Sequence, residues 1–302
     1  MAYNMPRSAG FSSLGTAMRA AVQWRLLLLW LVIMLIPATV VALPLWHMLG
    51  GILDTSVHAS EWAQHFSDLM FSDVIFALSN HFQWLGAVAM IGFVLTLLLS
   101  PFLDGMIVGS GRAGRALGFG EVLQNGLIEY GRMFRVMFWS LLPYGLLMVV
   151  MAASGNMVGK YAETAVLESQ VSAYSNLMHV LVLVVFVIVQ SIVESARAAF
   201  IADVTLRSAT RALWRGIRQL VRRPLKTLLF YLTVTVVGLL LASVFAVARI
   251  HVTAFGGLGF LLALLLSQLI VVIIGWMRVA RLFALAEVAR TVVPVRAQAE
   301  YR

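Results

Sequence analysis

The sequence predicts an all-α fold, a polytopic membrane helical bundle of six transmembrane helices with amphipathic interfacial helices. Three observations carry that expectation. Six apolar stretches have the length of membrane spans. Charged residues make up only 12% of the chain, against about 25% in soluble domains. Of the 22 lysines and arginines, all but Lys160 and Arg249 fall on one side of those spans. With 61% of its 302 residues hydrophobic, the chain carries more apolar surface than one aqueous core can bury.

A hydrocarbon layer about 30 Å thick needs roughly 20 apolar residues in helix, because each backbone polar group must be satisfied within its own segment. The stretches that meet this demand are 26–46, 84–107, 136–153, 177–193, 225–247 and 255–277. The third and fourth are the shortest and are expected to extend beyond the hydrocarbon. The fourth has no glycine or proline from Ser191 to Thr210 to stop it. Pro37, Pro44 and Pro101 lie in or near spans, where a missing backbone donor predicts kinks. The first apolar run follows Arg19 and Arg25 as a signal peptide would, but it exceeds the 7–15 residues of a cleaved core and reads as a retained anchor.

Positive residues in short loops resist translocation. Arginines 7, 19 and 25, the group from Arg112 to Arg135, the group from Arg197 to Lys226 and the group from Arg278 to Arg302 therefore predict a cytoplasmic N-terminus and C-terminus in a bacterial inner membrane. The outer segment 47–83 has no Lys or Arg and carries Asp54, Glu61, Asp68 and Asp73, so the asymmetry holds in both signs. No linker or appendage is large enough to fold separately. Residues 1–302 read as a single integral membrane domain without an internal repeat.

The outer segment repeats Ala59, Trp62, Phe66 and Leu69 at helical steps. Asp54, His58, Glu61, His65 and Asp68 follow one residue earlier, a stripe whose carboxylates and imidazoles have the chemistry of a divalent-metal site. The weightier reading is a solvated helix face, since the spacing lacks an HExxH pattern. On the inner side, Gly109, Gly111 and Gly114 form a GxGxxG string. It neither follows a strand nor continues into Lys-Ser or Lys-Thr, so a nucleotide loop is excluded and a flexible turn is expected. After it, Val122, Leu123, Leu127, Tyr130 and Phe134 predict a short amphipathic helix along the inner surface.

The most regular feature is the series Arg207, Arg211, Arg215, Arg218 and Arg222. At 100° per residue these five share one sector of a helix, while Leu206, Ala209, Leu213, Ile217 and Leu220 fall roughly opposite. An amphipathic helix ending near Pro224 is predicted, with arginines that meet lipid phosphates or a partner protein.

Span cores are nearly free of charge, and charges there are the usual mark of a substrate path. Gln190 and Gln268 are the deepest strongly polar groups and read as contacts between helices. Asp104, Glu194, Asp203, Arg197, Arg278, Arg281 and Glu287 sit near inner ends. Neither GxSxG nor HExxH occurs, no intramembrane aspartates are paired, and no cysteine is present, so no catalytic residue is assigned and no cofactor is expected.

Several strings resemble a group of six-helix bacterial inner-membrane proteins of unassigned activity. These are Leu28-Leu29-Trp30 through Pro44; Asp54-Thr55-Ser56-Val57-His58-Ala59; Phe119-Gly120-Glu121 through Gly131-Arg132-Met133-Phe134-Arg135; and Glu194-Ser195-Ala196-Arg197 with Asp203 and Arg207. The chain departs from that pattern at Ser110-Gly111, where two glycines are usual, and at Glu194, where aspartate is common. The resemblance implies a six-helix fold and no mechanism. The loop from Glu194 to Pro224 is also similar to the coupling loop of ABC permeases, without the glycine after the acidic residue, since Val204 follows Asp203.

The function expected from these features is a non-enzymatic subunit or scaffold of a membrane assembly. A transporter or permease subunit working with a separate ATPase is the alternative, and a lipid-modifying membrane enzyme the second alternative. The partners expected are membrane lipids, including anionic headgroups, and other membrane or cytoplasmic subunits. A nucleic acid is not expected, because the basic residues flank apolar runs instead of clustering on a soluble face.

Overall fold

In the computed structural model, which describes residues 10–54, 56–57, 68–79, 81–252 and 256–292, every long apolar run is helical. The described residues form nine helices and no strand. They are α1 (Phe11–Ala20), α2 (Trp24–Leu53), α3 (Asp68–Ser79), α4 (Phe82–Ala113), α5 (Phe119–Thr164), α6 (Glu168–Ala202), α7 (Ala209–Arg222), α8 (Pro224–His251) and α9 (Gly256–Val292). Six of them, α2, α4, α5, α6, α8 and α9, are long and apolar enough to span a bilayer. The chain is therefore an α-helical, multi-pass integral membrane protein.

The two stretches that read as shortest belong to the longest helices before α9. Residues 136–153 lie within the 46 residues of α5, and residues 177–193 within the 35 of α6. Polar ends count against a span in sequence but do not stop a helix. The amphipathic helix expected near Phe119 is accordingly not a separate element but the first turns of α5. Its buried face also differs from the expected one. Val122, Gly126, Glu129 and Met133 are buried, whereas Leu127 and Ile128 point outward. Pro37 and Pro44 sit within α2, Pro101 within α4 and Pro143 within α5, each helix continuing past its proline. The amphipathic α1, which buries Leu14 and Ala17, was not anticipated.

The molecule falls into two compact units. The first comprises Met1–Val22, Asp104–Val236 and Arg278–Arg302, and the second Gln23–Leu103 and Val237–Met277. In the second, glycines seat bulky neighbours. A Cβ on Gly275 of α9 would lie 2.8 Å from the Trp30 ring of α2, and one on Gly238 of α8 would lie 2.6 Å from the Met277 side chain. Helices in lipid gain little from the hydrophobic effect between them, so close approach through small residues supplies the packing. Trp46 meets Phe260 edge-on at 6.2 Å between ring centroids.

The first unit packs by the same rule, and the supposed glycine turn is part of it. Gly109 and Gly111 lie inside α4, and only Gly114, with φ +62°, has the left-handed backbone of a turn. A Cβ on Gly105 would stand 2.9 Å from the Gly126 carbonyl oxygen of α5. One on Gly111 would stand 2.9 Å from the Ile201 and Phe283 side chains. The end of α4 is thus glycine-rich because α5, α6 and α9 approach its backbone closely. Sequence read alone offered only the flexibility of glycine, not what presses on it.

Candidate functional site

Charged residues that the sequence scatters along the chain converge in the first unit. Asp104 at the arginine-rich end of α4 is 2% exposed, and Glu194 on α6 is 1% exposed. The Arg197 Nε lies 3.1 Å from Asp104 Oδ2, and the Arg278 Nη2 of α9 lies 2.7 Å from Asp104 Oδ1. Glu194 Oε1 faces Arg197 at 3.7 Å and Arg281 of α9 at 3.5 Å. Arg281 also donates to the Tyr231 hydroxyl of α8 at 3.5 Å and rests over its ring. Two carboxylates thus hold three guanidinium groups, a cluster that ties α4, α6, α8 and α9 together. Arg197 and Glu194 share a helix turn at i, i+3, which fixes their order before any tertiary contact forms.

A second cluster caps α6. Glu129 of α5, buried, accepts from Arg112 at 2.5 Å and from Arg132 at 2.9 Å. Arg112 Nε donates to the Phe200 carbonyl at 2.8 Å. That carbonyl lies in the last turn of α6, where four oxygens lack intrahelical donors and a cation complements the helix dipole. One turn away from the charged pairs, the Tyr144 hydroxyl of α5 donates to Gln190 Oε1 of α6. Gln268 is half-buried on α9.

Beyond Ala202 the chain turns through Asp203. This carboxylate accepts from the Thr205 amide at 2.9 Å, the Thr205 hydroxyl at 2.6 Å and Arg215 Nη1 at 2.6 Å. Partial burial pushes the Asp203 carboxyl up, but the Thr205 and Arg215 hydrogen bonds outweigh it and hold the group below the ordinary carboxylate range. The acidic residue ends α6, against the expectation that the helix would run on, because its side chain competes for backbone donors there. Ser208 then caps α7, accepting from the Arg211 amide at 3.4 Å.

Helix α7 has three faces instead of two. The buried face is Ala209, Ala212, Gly216 and Gln219, in a sector the sequence reading left unassigned apart from Ala209. It packs against α6 so closely that a Cβ on Gly216 would lie 2.5 Å from the Ile192 carbonyl oxygen and 2.9 Å from the Ala196 nitrogen. Gln219 Nε2 donates to the Leu285 carbonyl of α9 at 3.3 Å. Leu213, Ile217 and Leu220, expected roughly opposite the arginines, are half-buried, and Trp214 and Val221 are exposed. Arg211, Arg218 and Arg222 form the exposed basic face, Arg207 is exposed just before the helix, and Arg215 is turned to Asp203. The signal for the docking face was present as a small-residue repeat, but an apolar count ranks alanine and glycine below leucine.

The expected metal-binding stripe falls largely outside the described residues. Among the described residues no group of three His, Asp or Glu side chains could hold a metal. His58, Glu61 and His65 lie outside the described residues, and Asp54 and Asp68 are exposed. Asp104, Glu194, Asp203 and Glu287, the acids a lipid-modifying enzyme would draw on, each lie against an arginine, Glu287 against Arg290. No protein family, curated protein or solved structure matches the chain.

Proposed function

We propose that the chain is a non-enzymatic subunit or scaffold of a bacterial inner-membrane assembly, with both termini in the cytoplasm and α7 as its docking surface on that side. The observation that carries this reading is the seating of α7. Its small residues lock it onto α6, while four arginines and Trp214 face away from the protein. A surface held rigid before binding loses little conformational entropy when a partner arrives. The permease alternative draws on the same element, since a short helix between two spans is where a separate ATPase would dock.

Orientation is tested by single cysteines, because the chain has none of its own. Ser110, an obvious reporter from sequence, is buried and unsuitable. Exposed positions serve instead. Val166→Cys and Ser172→Cys should react with an impermeant maleimide in intact cells, and Ala116→Cys and Thr210→Cys only after lysis. The reverse pattern inverts the topology.

The subunit role is tested by purification from native membranes in mild detergent. One protein should accompany the chain at fixed stoichiometry and be lost when Arg207, Arg211, Arg218 and Arg222 are all changed to Gln. A chain that purifies alone, with and without those arginines, removes the scaffold reading. A co-purifying nucleotide-binding subunit would favour the permease.

A further inference from the structure

A cavity of about 120 Å³ opens beside α7, lined by Arg215 and Arg218, by Ala199 and Ala202 of α6, and by Ala289 and Val292 of α9. Its walls combine two guanidinium groups with small apolar side chains and include no carboxylate residue. Arg215 spends Nη1 on Asp203. A guanidinium has five N–H donors in a planar fork, so the rest of that fork is not used by this bond. Arg218 is exposed and has no ion pair or hydrogen bond among the described residues. Buried Gln219, also in the wall, is held by its bond to the Leu285 carbonyl, which fixes the α7 side of the cavity against α9.

We propose that this cavity is a binding site for a phosphate group. The chemistry fits on three counts. Paired arginines match the oxygens of a phosphate through parallel N–H donors, which a lysine point charge does not do. At about 30 Å³ for each water in the liquid, the volume admits about four water-sized groups, the scale of a single phosphate group. Arg215 is already oriented by Asp203, so one donor set is in position before the anion arrives. The phosphate has two sources. Trp214 and Val221, exposed beside the arginine sector, are side chains suited to a membrane interface, where a phospholipid headgroup would present the anion. A soluble phosphate would enter from the aqueous side.

The site needs only this chain and a phosphate, so it stands or falls separately from the subunit reading. The test uses the purified full-length protein and two probes. Native mass spectrometry after mixing with phosphatidylglycerol, with diacylglycerol as the control that lacks the phosphate, reads the lipid source. Calorimetry with inorganic phosphate reads the soluble source. The protein should retain phosphatidylglycerol at least tenfold better than diacylglycerol, and Arg218→Gln should remove that preference. Ala202→Leu, which fills the cavity without touching a charge, should remove it as well, with thermal unfolding of both variants checked in the absence of lipid. Binding of inorganic phosphate that Arg218→Gln abolishes, without a lipid preference, assigns the same site to a soluble ligand. Equal retention of the two lipids together with no phosphate binding, or full binding by Arg218→Gln, overturns the proposal.

Discussion

Arg197→Met should destabilise the protein by about 3–5 kcal/mol, the usual range when one partner of a buried ion pair is removed. Arg197 lies against both Asp104 and Glu194. Its loss takes one guanidinium from each carboxylate and leaves Arg278 at 2.7 Å from Asp104 and Arg281 at 3.5 Å from Glu194. A carboxylate stranded in this setting loses attraction without regaining water. Reversible unfolding in mixed micelles measures the effect. The double variant Asp104→Leu with Arg197→Met should recover part of it, because the stranded charge leaves together with its partner. If the double variant is as unstable as the sum of the two single changes, the groups act independently and the network has no cooperative role.

Gly216→Val should be the most damaging change on α7. A Cβ already meets the Ile192 carbonyl at 2.5 Å, and this is backbone, which cannot rotate away. Overpacking of this kind costs about 1–3 kcal/mol or separates the two helices. Separation would expose the Ala209 and Ala212 face and make the segment after Asp203 sensitive to protease. Gly131→Ala is the matched control. Nothing lies within 4 Å of its Cβ position, and Gly131 is exposed on α5. There the better helix propensity of alanine should leave stability unchanged or raise it by up to about 1 kcal/mol. Equal losses at both positions would mean that the close approach of α7 to α6 does not limit what residue 216 can be.

Each feature of this chain is legible in its sequence or not according to the force that sets it. Spans followed from hydrocarbon thickness, a constraint that acts on each segment separately, and all six were legible. That the third and fourth would run past their apolar cores was legible too, and α5 and α6 do so, but where they stop was not, since Asp203 ends α6 short of Thr210. The arginine series on α7 was legible as one helical face, since it is local in sequence. The face that docks was not, because Gly216 and Ala212 become informative only once Ile192 and Ala196 lie opposite them. The charge cluster was the hardest feature to foresee. Its members all appeared at the arginine-rich ends of spans, but nothing in the spacing of Asp104, Arg197 and Arg278 says that they meet. Such pairing is a property of how helices are arranged, and a single sequence carries no direct record of it.

The wiring of that cluster also sets an order for biosynthesis. Arg278 and Arg281 both lie on α9, which leaves the ribosome after the helices that carry Asp104, Glu194 and Arg197. Until it inserts, Asp104 and Glu194 share Arg197 as their sole guanidinium within this cluster, and Tyr231 waits for the cation that will cover its ring. A nascent chain halted before Arg278 would therefore hold two acids and one base in a place built for two acids and three. Insertion of α9 takes the cluster from one excess carboxylate to one excess guanidinium, so the carboxylate left uncompensated in a truncated product, a costly group in a membrane, is offset only once α9 is in place.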